Sequence, residues 1–294
     1  SYVTAPNSEG THTIDYTTAG TVFLFRNNTD NSAIKIDNVS IKEVLGDRAR
    51  LNYEIEGGLV NTKCSLLLEQ QSTNLITYSE DFTQSDWVKL GIGSGSSPIL
   101  TKNYAISPDG SKNATRLQCN LNSGTTNSDQ SLIYDLYSSS SNQTISIYMK
   151  SNTGSNQNVY FANTVSTGDT AVVTSEWQRF TFSHSSSTYV LAVGLRGGTG
   201  ADDTLDISIF AAQAEALSYP TSYIPTNGST QTRAAETCNG AGTSSILPSE
   251  EGILYAEIAY LAPTASYSNQ SSLSINDGTS NNRVMIYRTT SNNN

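Results

Sequence analysis

In TISIYMK (144–150), Ile145, Ile147 and Met149 alternate with Tyr148 and Lys150. A strand there places the three apolar side chains on one face and Tyr148 and Lys150 on the other. The same sorting applies to three more segments. Tyr160 opposes Val159 and Phe161 in NVYFA, and Arg179 opposes Phe180 and Phe182 in WQRFTFS. In YVLAVGLR, Arg196 opposes Leu191, Val193 and Leu195. If these strands are neighbours, one outward face gathers Tyr148, Lys150, Tyr160, Arg179 and Arg196. Flat rings for C–H stacking beside cationic donors make a glycan platform. Tyr and Arg are equally enriched in protein interfaces, and an amphipathic outer sheet covered by loops reads the same way, so all three uses stay open.

Other chemistry finds weaker footing. Glycoside hydrolysis needs two carboxylates across a cleft. The adjacent pairs Glu80/Asp81, Asp202/Asp203 and Glu250/Glu251 point to opposite faces on a strand and stay solvated in a loop. A Ser-His-Asp triad would have to use His12 or His184, the two histidines of the chain. No G-x-S-x-G elbow or GxxxxGK[ST] loop occurs, and the sequence is not read as an enzyme. Cys64, Cys119 and Cys238 are an odd count without CxxC spacing, so they read as free thiols. No cofactor is expected. Oxygen-rich loops near Glu80 and Asp81, or Asp202 and Asp206, could supply ligands to structural calcium, though neither follows a defined calcium-loop pattern.

The elements that would position these residues are strands. Charged residues make up only 14% of the 294 residues, so the outward faces must be largely hydroxyl and amide. Short alternating runs separated by Gly, Asn, Ser and Asp clusters predict an all-β chain of tandem β-sandwich (jelly-roll) domains. The formal net charge of −10 argues against nucleic acid, whose phosphates need a Lys/Arg field. No apolar run reaches the length of a membrane-spanning helix, and membrane insertion is not expected.

Segments 21–44 and 190–216 share a layout: apolar strand, arginine (Arg26, Arg196), polar loop, then a strand with an early Asp. Each reads as the closing strands of a sandwich. Only the second has enough chain ahead of it for a whole domain, so the chain is expected to start inside a longer protein. The expected division is 1–46, the end of a first sandwich; 47–73, a connection; 74–225, a jelly roll; 226–249, a linker; and 250–294, the opening strands of another sandwich. In AEALSYPTSYIPTNGSTQTRAAE (214–236), Pro220 and Pro225 forbid a central strand. That stretch reads as an extended exit, pinned to the sandwich edge by Ile224 and the tyrosines, with a Tyr-rich binding loop as the other reading.

LLLEQQSTNLITYSEDFTQSDWVK, followed at a distance by QAEALSYPTSYIPTNGSTQTRAAE, resembles a module of tailed-bacteriophage tail and fibre proteins that is similar to carbohydrate-binding-module jelly rolls. IDNVSIKEV resembles the end of such a jelly roll. EGILYAEIAYL with SINDGTSNNRVMIYR resembles the start of a concanavalin/laminin-G-like sandwich. The resemblance covers 64–294 well and 21–44 weakly. It implies a virion protein, extracellular, homo-oligomeric and often trimeric, that contacts other virion proteins and host cell-surface glycans; it supplies no catalytic residues. A secreted non-catalytic carbohydrate-binding module and a pure spacer are the other readings.

Overall fold

The computed structural model divides the chain into two compact units, Ser1–Val44 and Leu45–Asn294. It describes residues 50–56, 59–139, 142–165, 169–184, 189–238, 270–276 and 283–288, with positions 256, 279, 281 and 282. The expected sandwich end at 21–44, residues 250–255 and 257–269 of the expected last sandwich, with the Glu250/Glu251 pair, and His12 lie outside these residues.

All regular structure among the described residues is β. A hairpin, β1 (Arg50–Glu56) with β2 (Leu59–Leu67), precedes the main body, and a second, β15 (Gln270–Asn276) with β16 (Arg283–Arg288), follows it. Between them two five-stranded antiparallel sheets stack. The first has the order β10 (Asp169–Val173), β9 (Gln157–Ala162), β12 (Val190–Arg196), β7 (Gln130–Leu136), β4 (Val88–Ile92). The second has the order β11 (Gln178–His184), β8 (Gln143–Ser151), β13 (Thr204–Glu215), β6 (Ala114–Asn120), β5 (Ile99–Ala105). The chain crosses between sheets at nearly every connection from β6 to β13, the wiring of a jelly-roll β-sandwich. A short pair, β3 (Ser72–Asn74) with β14 (Gln231–Arg233), ties the two ends of the module together.

Alternation builds the core. Leu117, Ile145, Ile147, Met149, Ile207 and Ile209 of the second sheet meet Ile133, Val159, Phe161, Leu191, Val193 and Leu195 of the first, all essentially buried. Each contributes about 1.5–3 kcal/mol by leaving water. Trp87 joins this core, its ring 4.8 Å from that of Phe82 and its Nε1 donating to the Tyr78 carbonyl. Around Asp81–Trp87 the backbone forms turns, closed by Asp81 accepting from Thr83 and Gln84.

One bulge changes the phase of β13. Its register slips between Phe210 and Gln213, and Ala211 takes a φ of 56°. Before the bulge Ile207 and Ile209 face the core; after it Ala212 and Ala214 do. Phe210, Gln213 and Glu215 therefore share the outer face. The backbone N–H of Ala212, freed from the ladder, donates to the Ser79 carbonyl.

Candidate functional site

The outer face of the second sheet has two halves. One is covered by the stretch 217–226. There Arg179 donates to the Thr221 carbonyl at 2.7 Å and to Ser146 Oγ at 2.8 Å. Glu215, fully buried, accepts from Ser72 Oγ, from the Thr221 N–H and from the Thr221 hydroxyl. Tyr223 packs on Phe210, and its hydroxyl donates to Glu80 at 3.0 Å. Burial raises the Glu80 carboxyl above its ordinary value, against the hydrogen bond from Tyr223. The strap ends in a clasp: Arg233 pairs with Glu69 at 2.9 Å, and Glu236 accepts from the Glu69 N–H. Ile224 is buried, as expected for a pinned exit, but the strap crosses a sheet face rather than only its edge.

The other half is open. Ladder pairing places Lys150, Ser208, Arg116 and Thr101 in one row across β8, β13, β6 and β5. Asp206, Gln118 and Ile99 form the next row, with Asn152 at its end. Neighbouring strands stand about 4.8 Å apart, so the rows make a strip roughly 14 Å long. At its centre Arg116 grips both carboxylate oxygens of Asp206 through Nε and Nη2. Those bonds hold the Asp206 carboxyl below the usual carboxylate range. Asn152 Nδ2 donates to the same carboxylate at 2.9 Å, and Ser208 donates to Asn152 Oδ1 at 2.8 Å. The Arg116 guanidinium lies 4.7 Å over the ring of Tyr104, which is 41% exposed and so leaves ring surface for a ligand. Gln118 and Asp206 also line a cleft of about 310 Å³ with Ser96, Ile99, Thr153 and Gln157.

The expected single platform is divided. Tyr148, Lys150 and Arg179 belong to the second sheet; Tyr160 and Arg196 belong to the first. The sorting of each strand into faces holds, yet the strands are not all neighbours, because the jelly-roll wiring sends β9 and β12 to the opposite layer. Tyr160 is fully buried and donates to the Thr164 carbonyl at 2.6 Å; Arg196 is 5% exposed and donates to the carbonyls of Asn127 and Val165. Neither presents a ring or a guanidinium to solvent. Arg179 holds the strap, with Tyr148 beneath it at 5.8 Å. Lys150 stays on the open strip, with no ion-pair partner among the described residues. Tyr104 and Arg116 were missed: LTKNYA has a register break between Thr101 and Ala105, so alternation does not reveal its exposed ring.

The calcium candidates are committed elsewhere. Asp202 accepts from the N–H and amide of Asn158, Asp206 is held by Arg116, and Asp81 pairs with Lys102 at 2.7 Å. Burial would raise the Asp81 carboxyl, but hydrogen bonds from Lys102, Thr83 and Gln84 outweigh it and hold it at about 2. Among the described residues no group of three or more His, Cys, Asp or Glu converges on a metal position. His184 is half-buried at the end of edge strand β11, beside Phe182, its Nε2 3.5 Å from the Tyr137 hydroxyl. Asp135 faces the interior with Oδ2 unpartnered. Burial, and secondly the charge of Asp86, pushes its carboxyl up to about 7.

No family model matches the chain, and no curated protein matches it. Solved structures do. The CBM22-1 xylan-binding domain of Paenibacillus barcinonensis Xyn10C is similar at TM-score 0.34 and 16% identity, over 52% of this chain and 99% of its own. A CBM4 structure is similar at TM-score 0.27 and 18% identity, over 41% of this chain and 87% of its own. The enzymatically active domain of tailspike protein 4 from bacteriophage CBA120 is similar at TM-score 0.28 and 10% identity, over 48% of this chain; this chain spans 21% of that one.

Proposed function

We propose that the chain is a non-catalytic adhesion protein that binds surface glycans through the open half of its second sheet, and that it is carried on the virion of a tailed phage. The observation that carries the binding reading is the strip itself. An exposed Tyr104 ring, the Arg116 guanidinium, Lys150, Gln118 and the Asn152 amide lie on one rigid sheet face beside a cleft. Rings to stack on sugar C–H faces and fixed donors for sugar oxygens are what carbohydrate recognition requires, and a paired sheet holds them without an ordering cost on binding. The virion placement rests on the sequence motifs at 64–91 and 214–236. A secreted carbohydrate-binding module would use the same strip.

A glycan array probed with the full chain tests the reading, beside Tyr104→Ala. Binding lost in the variant supports it; an array that stays blank at high glycan density overturns it. Detection of the chain in purified particles separates the virion role from the secreted one.

A second reading has its own observation. The outer face of the first sheet leaves Val88, Ile92, Leu136 and Val172 between 36% and 65% exposed, which suits an assembly surface. A homo-oligomer, trimeric or otherwise, or contact with other virion proteins would cover it. Sedimentation of the full chain reads this: a monomer at high concentration removes self-association.

A further inference from the structure

The strip is rich in donors and poor in acceptors. Both oxygens of Asp206 are already taken, Oδ1 by Arg116 Nε and Asn152 Nδ2, Oδ2 by Arg116 Nη2. Asn152 Oδ1 is taken by Ser208. The remaining capacity is the reverse. Lys150 offers three N–H groups and has no ion-pair partner among the described residues, and Arg116 Nη1 makes no hydrogen bond among them. The Gln118 amide and the exposed Thr101 hydroxyl carry both kinds of group. Two strands from Arg116, Lys150 projects from the same row. Against Arg116 and Lys150 the strip holds one acid, Asp206; Glu80 and Asp109 lie at the far end with Tyr223 and Asn113. The chain as a whole is acidic, with a formal net charge of −10.

We infer that the glycan taken by this strip is anionic, a chain bearing carboxylate or sulfate groups, with Lys150 and the free edge of Arg116 as the residues that select it. The inference rests on the glycan-binding reading and narrows it. An ionised carboxylate or sulfate only accepts hydrogen bonds, which matches the unpartnered cationic N–H groups of Lys150 and Arg116. A neutral sugar hydroxyl meets the same cationic N–H groups without a charge of its own and so gains less from them. An acidic protein repels an anionic polymer over most of its surface, so affinity for one must come from a local cationic site.

The test uses the full chain in affinity electrophoresis with polygalacturonate, dextran sulfate, neutral dextran and xylan. The expected result is retardation by at least one anionic polymer, weakened by salt, with neutral polymers at least about tenfold weaker. Lys150→Gln should lower the anionic affinity by about tenfold, the size of a lost charge-assisted contact, and Lys150→Arg should restore most of it. Lys112→Gln, an exposed loop lysine outside the strip, should change nothing. Preference for polygalacturonate assigns a uronate-type carboxylate; preference for dextran sulfate assigns a sulfate. Equal or tighter binding of dextran or xylan overturns the inference and leaves the glycan reading standing. Anionic binding that Lys150→Gln and Lys112→Gln reduce alike overturns it as unspecific attraction. A blank result with every polymer together with a blank glycan array removes both.

Discussion

The Nη1 of Arg179 lies 2.7 Å from the carbonyl oxygen of Thr221. That bond joins a strand of the outer face to the strap crossing it, and its partner on Ser146 fixes the guanidinium plane. Arg179 is therefore a fastening of the strap. Truncating it in Arg179→Ala should lower stability by about 1.5–3 kcal/mol, the range for hydrogen bonds to a charged group. Urea denaturation checks this, and glycan affinity per folded molecule should be nearly unchanged. An affinity loss larger than the stability loss would place Arg179 in the site instead.

Deeper under the strap, Glu215 is fully buried and satisfied by Ser72 and Thr221. Glu215→Leu would leave the Ser72 hydroxyl and the Thr221 N–H without acceptors. The expected cost is about 2–5 kcal/mol, with proteolysis opening first within the 217–236 strap. A thermal midpoint within a degree or two of the parent would contradict this account of the clasp.

Asp135 gives a pH signature. Its folded carboxyl, pushed up to about 7, binds its proton more tightly than in the unfolded chain, where about 3.9 is ordinary. Its contribution to stability is therefore most favourable below about pH 4, declines as pH rises towards 7, and is flat above. Asp135→Asn removes the dependence. The variant should exceed the parent by up to roughly 3–4 kcal/mol at pH 8, and the difference should vanish near pH 4. Denaturation series at both pH values decide it; a constant difference between them would rule out titration of Asp135 as the cause.

The sequence was informative where a strand is regular and buried on one face. TISIYMK, NVYFA and YVLAVGLR each show their core side chains by alternation, and the structure buries those residues. Sheet membership was not legible. Alternation says which side of a strand faces inward, not which of two stacked sheets the strand joins, and that is how Tyr160 and Arg196 were grouped with Tyr148. Strands β4, β5 and β7 escaped for local reasons: VKLGI carries glycine and lysine, ILTKNYA is interrupted at positive-φ Asn103, and QSLIYDL places Asp135 inward. The phase slip at Ala211 is equally hidden, since an alanine with a φ of 56° looks like any other alanine in the sequence. Pro220 and Pro225 did mark the strap, because a missing N–H and a fixed φ are properties a single residue declares.

Gly194 provides a further check on the first sheet. It takes a φ of 151°, and a Cβ added there would lie 2.5 Å from Leu132 Cα and 2.6 Å from the Leu132 side chain. These atoms belong to the paired strands β12 and β7, where Gly194 stands opposite Leu132, so neither can move away without breaking the ladder. Gly194→Ala should cost about 1–3 kcal/mol from backbone strain and overpacking. Hydrogen exchange should show the loss spreading along β7 and β12, while amides of β6 and β13 keep their protection. Uniform loss across both sheets would mean that the sandwich opens as one cooperative unit and that the strain is not confined to the first sheet.

Tyr160 closes the comparison between the two faces. Its hydroxyl donates to the Thr164 carbonyl from a fully buried ring, and burial raises its ionisation to about 12, against the nearby Arg196. Tyr160→Phe keeps the ring and removes the donor, so it should cost about 1 kcal/mol of stability and leave glycan affinity unchanged. Tyr104→Ala should do the opposite, because that ring is exposed and packs mainly against Arg116: little change in thermal midpoint and a loss of binding. Measuring both variants by urea denaturation and by the glycan array separates the sheets. If Tyr160→Phe abolishes binding at constant stability, the ligand approaches the first sheet and the strip on the second is not the site.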